Sequence, residues 1–148
     1  MTSPVRVVIE SDSGLVEARA AARDLASRLG FSRTDATLIA TAISEVARNI
    51  VVHVGYGTIL MSPLREERRY GVEVVAEDNG IGIYDVEAAL HDGYAGRGGL
   101  GLGLSGARRL MDEFEIDSGP DRGTRVMMRK WRLRDELERL REKRAERL

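Results

Sequence analysis

An α+β two-layer sandwich is the fold predicted by this sequence of 148 residues. Three observations lead there: short β-branched runs alternate with helically periodic segments, two pairs of runs are separated only by turn-forming residues, and the longest helical segment carries one apolar stripe. The length suits a single hydrophobic core. With 43% hydrophobic and 32% charged residues, the chain can fill that core and still cover its surface.

Val5-Arg6-Val7-Val8-Ile9 reads as the first strand, and Ser11-Asp12-Ser13-Gly14 behind it supplies turn and N-cap chemistry. From Leu15 to Leu29 apolar residues recur at helical spacing, and Gly30 stands where a helix C-cap belongs. Ser32-Arg33-Thr34-Asp35 offers a capping-box start for a second helix, striped by Leu38, Ile39, Ala42, Ile43, Val46, Ile50 and Val54. His53 lies towards that stripe and reads as a core histidine, and Gly55 and Gly57 close the helix. Thr58 to Met61 and Tyr70 to Ala76 form an antiparallel pair around the charged turn Arg65-Glu66-Glu67-Arg68. Residues 85–90 read as a short helix, and residues 92–106 hold seven of the sixteen glycines, too many for regular structure. Helix resumes from Leu104 to Phe114. Residues 114–117 and 124–128 then form a hairpin across Gly119-Pro120-Asp121-Arg122-Gly123.

Composition narrows the function. The 23 basic residues nearly cancel the 24 acidic ones, and the net charge of -1 exerts no global pull on nucleic acid or anionic membrane. The absence of Cys excludes disulfides, thiolate metal sites and a Cys nucleophile, and it permits a reducing compartment. The two histidines, His53 and His91, stand too far apart for a helical ligand pair and leave little from which to build a Ser-His-Asp triad. A metal would therefore need oxygen ligands, as Mg²⁺ prefers. No apolar run approaches the roughly 20 residues of a membrane span, and no signal segment opens the chain. The expectation is a cytoplasmic protein with no nucleic-acid or membrane partner.

Gly101-Leu102-Gly103-Leu104-Ser105-Gly106 satisfies G-x-G-x-x-G, the dinucleotide-binding pattern. That fingerprint must follow a buried strand directly and open a series of βα units, but a polar glycine-rich stretch precedes it and only 42 residues follow. A P-loop needs Lys after its last Gly, and the only lysines are Lys130 and Lys143. A plain flexible connection remains a reading, although long structureless loops are uncommon in compact domains.

Three further pieces bear on the glycines. Glu45 and Asn49 lie one helical turn apart, roughly 100° around the helix from the apolar stripe, where they can offer oxygens to a hard cation or form a surface pair. Asp78-Asn79-Gly80-Ile81-Gly82 follows an apolar strand, so its carboxylate can meet a ligand edge while the glycines admit a flat group; alone, it reads equally as a turn. Gly123-Thr124 puts a hydroxyl at the start of a strand that can pair beside Asp78.

In this order, Glu45-x-x-x-Asn49, Asp78-x-Gly80-x-Gly82, Gly99-Leu100-Gly101-Leu102-Gly103 and Gly123-Thr124 resemble the asparagine box, the two glycine boxes and the terminal Gly-Thr of the GHKL, or Bergerat-fold, ATPases. More closely, Ile43-Ser44-Glu45-Val46-Ala47-Arg48-Asn49, Glu77-Asp78-Asn79-Gly80-Ile81-Gly82, His91-Asp92-Gly93-Tyr94 and residues 106–114 resemble the RsbT-type switch kinases, relatives of the anti-sigma factor kinases. The resemblance runs from about residue 5 through Trp131 and implies a mixed, mostly antiparallel sheet covered on one face by helices.

It also implies roles. Asp78 would accept from the adenine amino group, with Thr124 supporting it through water and Gly80 and Gly82 admitting the ring. Asn49 would hold Mg²⁺ against the phosphates of ATP, and Glu45 would act as general base. Residues 96–103, with Gly99, Gly101 and Gly103, would be the ATP lid, and the helix beginning near Leu104 would aim free N–H groups at phosphate. Arg97 reads either as a phosphate clamp or as a solvated lid charge. The implied activity is that of a protein serine/threonine kinase acting on a STAS-domain protein, with a PP2C-type phosphatase as a further partner. The alternative is an anti-sigma factor whose ATP shapes a binding surface.

The kinase domain is thus expected over residues 1–131 and a charged helical tail over 132–148. Seven positive and five negative charges with Leu133, Leu137 and Leu140 in 4-3 spacing suit a docking or self-association helix; so short a segment also reads as a solvated, frayed one.

Overall fold

Alternate residues of the β-branched run Val5–Ile9 are buried, which makes it a strand with one face on a core; it is β1. The computed structural model describes residues 2–82, 90 and 103–147. Among them β1 is followed by α1 (Asp12–Arg28), α2 (Arg33–His53), β2 (Gly57–Arg65), β3 (Arg69–Asp78), α3 (Gly103–Leu110), β4 (Glu113–Ser118), β5 (Thr124–Leu133) and α4 (Glu136–Glu146). The strands lie in the order β1-β2-β3-β5-β4, and every pairing among the described residues is antiparallel. Helices α1 and α2 pack together over one face of the sheet, giving the expected α+β sandwich.

Inward residues recur at every second strand position and line up across the sheet. Met61, Val74, Met128 and Phe114 form one such row, and Ile59, Ala76, Val126 and Ile116 form the next. Ile39, Ile43, Val46 and Ile50 of α2 are buried against them, each such side chain contributing about 1.5–3 kcal/mol. The helix ends follow the sequence signals: the Ser32 hydroxyl accepts from the Asp35 N–H at 3.1 Å, and Gly30 takes φ +82° after α1.

Several expected boundaries move. Helix α3 stops at Leu110 rather than Phe114, because the Asp112 N–H donates to the Arg129 carbonyl and its carboxylate accepts from the Trp131 N–H at 2.7 Å, which draws the chain onto β5. Gly55, at φ +92°, ends α2, whereas Gly57 opens β2. His53 is exposed, not in the core: four residues after Asn49, it continues the open flank of Glu45 and Asn49 rather than the apolar stripe. Arg132 and Leu133 belong to β5, and α4 starts at Glu136 behind a capping box formed by Asp135 and Glu138. The helix expected at residues 85–90 lies outside the described residues apart from Leu90, which packs against the core. No described helix is long and apolar enough to cross a membrane.

Arg132 ties α4 to the body of the domain. Its Nε donates to the Leu29 carbonyl at the end of α1 at 2.7 Å, and its two terminal nitrogens meet the Glu138 carboxylate at 2.8 and 2.7 Å. The Arg132 hydrogen bonds hold the Glu138 carboxyl down at about 2 from the usual 4.5. A pKa lowered by folding adds stability that is present above about pH 4.5 and lost as the pH falls through about 2. Glu138→Gln is therefore expected to cost about 1–2 kcal/mol in urea unfolding at neutral pH, with the gap to wild type closing as the pH falls from about 4.5 towards about 2. A gap that stays constant over that range would contradict the assignment.

Candidate functional site

The inward rows change character at one end of the sheet. Beyond the row of Ile59 and Ala76, the last row consists of Ile9, Gly57, Asp78, Thr124 and Ser118. Strand parity puts Asp78 there: it follows Val72, Val74 and Ala76 at intervals of two, so its carboxyl shares their inward face. Asp78 is only 8% exposed. Its Oδ1 accepts from the Gly80 N–H at 2.9 Å, and its Oδ2 accepts no hydrogen bond from the described residues. A buried carboxylate with one oxygen anchored and the other open is an acceptor suited to a ligand donor.

Its neighbours keep the place open. Gly57 brings no side chain, and a Cβ there would meet the Glu77 carbonyl at 2.7 Å and Ile50 at 2.9 Å. On the other side Thr124 is buried, with its Oγ1 at 2.8 Å from the Ser118 Oγ, which donates to the Gly123 carbonyl at 2.9 Å. The β4–β5 turn folds over the loop after Asp78. The Asp121 N–H donates to the Ile81 carbonyl at 2.6 Å, and Gly82, at φ +83°, lies so close to Gly119 that a Cβ would run into its carbonyl. Gly80 sits under Val54, 2.8 Å from where its own Cβ would be.

Contacts of Ile50 with Gly57 and of Val54 with Gly80 lay the end of α2 across this part of the sheet. Glu45, nine residues before Val54, is about 13 Å away along the helix axis. Glu45 and Asn49 are half-buried on one flank, and Glu45 Oε2 accepts from the Gly103 N–H at 3.2 Å at the start of α3. That carboxylate faces the positive end of a helix, where an anion is favoured. Leu104 is packed in the core, so only its backbone is available to a ligand. No three acidic or histidine side chains among the described residues come together to cage a metal. The flank of Glu45 and Asn49 fits Mg²⁺ in the way that ion is usually held, by one or two side chains with phosphate oxygens and water completing the shell.

The structure thus joins Asp78, Gly80, Gly82 and Thr124 in one cluster, and Glu45, Asn49 and Gly103 in a second along α2. Arg97, Gly99 and Gly101 lie outside the described residues, as does His91. Sequence reasoning missed Gly57, Ser118 and Gly119. Ser118 was within reach, because a hairpin loop of residues 119–123 sets Ser118 opposite Thr124.

Residues 10–130 match the family described as Histidine kinase-like ATPase domain. The chain is 43% identical over 129 residues to the serine/threonine-protein kinase RsbT of Bacillus subtilis, covering 87% of this chain and 96% of that protein. It is 33% identical over 119 residues to an anti-sigma F factor of Clostridium novyi, covering 76% of this chain and 82% of that one. A crystal structure of the RsbU and RsbW domains of Rv1364c from Mycobacterium tuberculosis shares the fold, with a TM-score of 0.61 at 22% identity, over 89% of this chain and 33% of that chain.

The glycines of the first cluster can be tested without a ligand. Gly123 has φ +71° and crowds the Asp78 carbonyl, Gly82 crowds Gly119, and Gly55 has φ +92° with open space around it. Alanine at Gly55 is expected to cost about 1 kcal/mol, and at Gly82 or Gly123 about 2–3 kcal/mol, in urea unfolding. Equal costs at the three positions would show that the close approaches contribute nothing.

Proposed function

We propose that this chain, which belongs to the histidine kinase-like ATPase domain family and is an RsbT-type serine/threonine protein kinase, uses Mg-ATP to phosphorylate a hydroxyl of a STAS-domain protein in a bacterial partner-switching pathway. The observation that carries the reading is the buried, half-satisfied Asp78 carboxylate, in the polar row that borders the apolar rows of Ile59 and Met61. Asp78 accepts from the adenine amino group, Thr124 supports it through water, and Gly80 and Gly82 leave room for the ring. Asn49 holds the metal. Bound Mg²⁺ supplies charge neutralisation at the phosphates. Glu45 takes the proton of the acceptor Ser or Thr hydroxyl while that oxygen bonds to the γ-phosphorus and ADP departs. Residues 96–103 form the lid, with Arg97 as phosphate clamp, and the N-terminus of α3 favours phosphate.

The partners are the STAS-domain substrate and a PP2C-type phosphatase reached once the kinase leaves it, in the cytoplasm. Residues 1–131 carry the reaction, and residues 132–148 are an appendage to it. The likeness to anti-sigma F factors favours a second reading, in which bound ATP shapes a partner-binding surface and phosphorylation is secondary.

Asp78→Asn replaces an acceptor oxygen with a donor facing the adenine amino group, and ATP affinity measured by calorimetry is expected to fall by about 1–3 kcal/mol. Unchanged affinity would remove Asp78 from the site. Glu45→Gln is nearly isosteric and is expected to keep Mg-ATP binding within a few fold while lowering phosphoprotein yield by about 10²–10⁴-fold, measured by mass spectrometry. Asn49→Ala should instead weaken the Mg²⁺-dependent part of nucleotide binding. Transfer at the wild-type rate by Glu45→Gln would refute the base; tight binding of ATP and partner by the wild type without any phosphoprotein would establish the second reading.

A further inference from the structure

Helix α4 is mounted with its charged side on the domain and its leucines in solvent. With about 100° between successive residues, Glu138, Arg139 and Glu142 lie nearly opposite Leu137 and Leu140. The two inner carboxylates are bonded: Glu138 to Arg132, and Glu142 to Arg134, to Tyr70 and, at 2.8 Å, to Arg65. Arg134 also donates to the carbonyls of Glu66 and Glu67 in the β2–β3 turn. On the outer side Leu137 and Leu140 are each 56% exposed, and Leu133 just before the helix is 80% exposed. An amphipathic surface helix normally turns its apolar stripe inward. Here directional polar bonds hold it the other way round and present the leucines outward.

We propose that this face joins two copies of the chain, with their α4 helices antiparallel and Leu137 of one packed on Leu140 of the other. The charges select the occupant and its direction. Glu136 and Lys143 lie seven residues apart on the same flank of the stripe, and neither takes an ion pair among the described residues. Antiparallel pairing brings Glu136 of each copy beside Lys143 of the other, so both charges are answered twice. Parallel pairing would instead stack Arg144, the next residue of the stripe, on its own copy. The antiparallel arrangement keeps the two Arg144 side chains at opposite ends. The pairing also leaves the candidate site free, because α4 follows the end of β5 that pairs with Arg69. Asp78 lies at the other end of β3, about 30 Å along the strand.

The two-leucine seam is short, so the dimer is expected to form with a dissociation constant of about 10–500 µM. Sedimentation equilibrium of the full chain from about 1 µM to about 1 mM reads it directly. Wild type should shift from monomer to dimer over that range, and the Leu137→Glu/Leu140→Glu double variant should remain monomeric. Glu136→Lys alone and Lys143→Glu alone should each weaken dimerisation about two- to fivefold, and an equimolar mixture of the two should recover it. Recovery in the mixture requires the antiparallel register and cannot arise from misfolding of either variant. A wild-type chain that stays monomeric at all concentrations overturns the proposal, as do single-charge variants that dimerise like wild type. A monomeric chain that co-sediments with vesicles of phosphatidylglycerol and phosphatidylcholine would assign the leucine face to a lipid surface instead.

Discussion

Everything in the candidate site depends on the period of two in the β-strands. Val72, Val74, Ala76 and Asp78 share one face of β3, and the first three positions are held inward by the hydrophobic core. The fourth has no such driving force of its own. Asp78 is buried because a register slip of one residue would expose the whole apolar set. The cost of keeping a carboxyl there is partly offset by the Gly80 N–H, which leaves the second oxygen without a hydrogen bond from the described residues.

The second cluster depends on a different period. Helix α2 lays Ile39, Ile43, Val46 and Ile50 on the sheet, and the same 3.6-residue repeat carries Glu45 and Asn49 along one flank. Since Ile50 and Val54 rest against Gly57 and Gly80, the helix acts as a spacer between the cluster around Asp78 and the cluster around Glu45. The Glu45 contact with Gly103 links that spacer to α3. Both clusters are therefore set by packing that has nothing to do with ligand, so their geometry is fixed before any ligand arrives.

The far end of the molecule is organised by polar bonds. The guanidinium groups of Arg132 and Arg134 each lie 4.8 Å from the centre of the Tyr70 ring, and Arg69 stacks on Trp131 at 3.7 Å. Cation–π contacts and charge-assisted hydrogen bonds are directional, so they dictate which side of α4 faces the domain where apolar burial would have dictated the reverse. The core and the appendage thus obey different forces, and the boundary between them runs through the last residues of β5.

Local signals in the sequence determined the strand and helix types of the described elements and the caps at Ser32 and Gly30, because each rests on periodicity or turn chemistry over a few residues; Glu45, Asn49, Asp78, Gly80, Gly82 and Thr124 stood out as a set through the resemblance of their ordered motifs to the GHKL ATPases. Only the tertiary structure decided which residues are neighbours across the sheet. The pairing of Asp78 with Gly57 and Thr124 joins three strands, and the approach of Gly82 to Gly119 joins two loops that are far apart in the chain. His53 shows the same limit: its place on the helical wheel pointed towards the core, but which flank of α2 the other elements leave open is a property of those elements. The outward leucines of α4 were visible as a seam, yet their direction was set by Arg65, Tyr70 and Arg134, whose bonds to Glu142 no local pattern encodes.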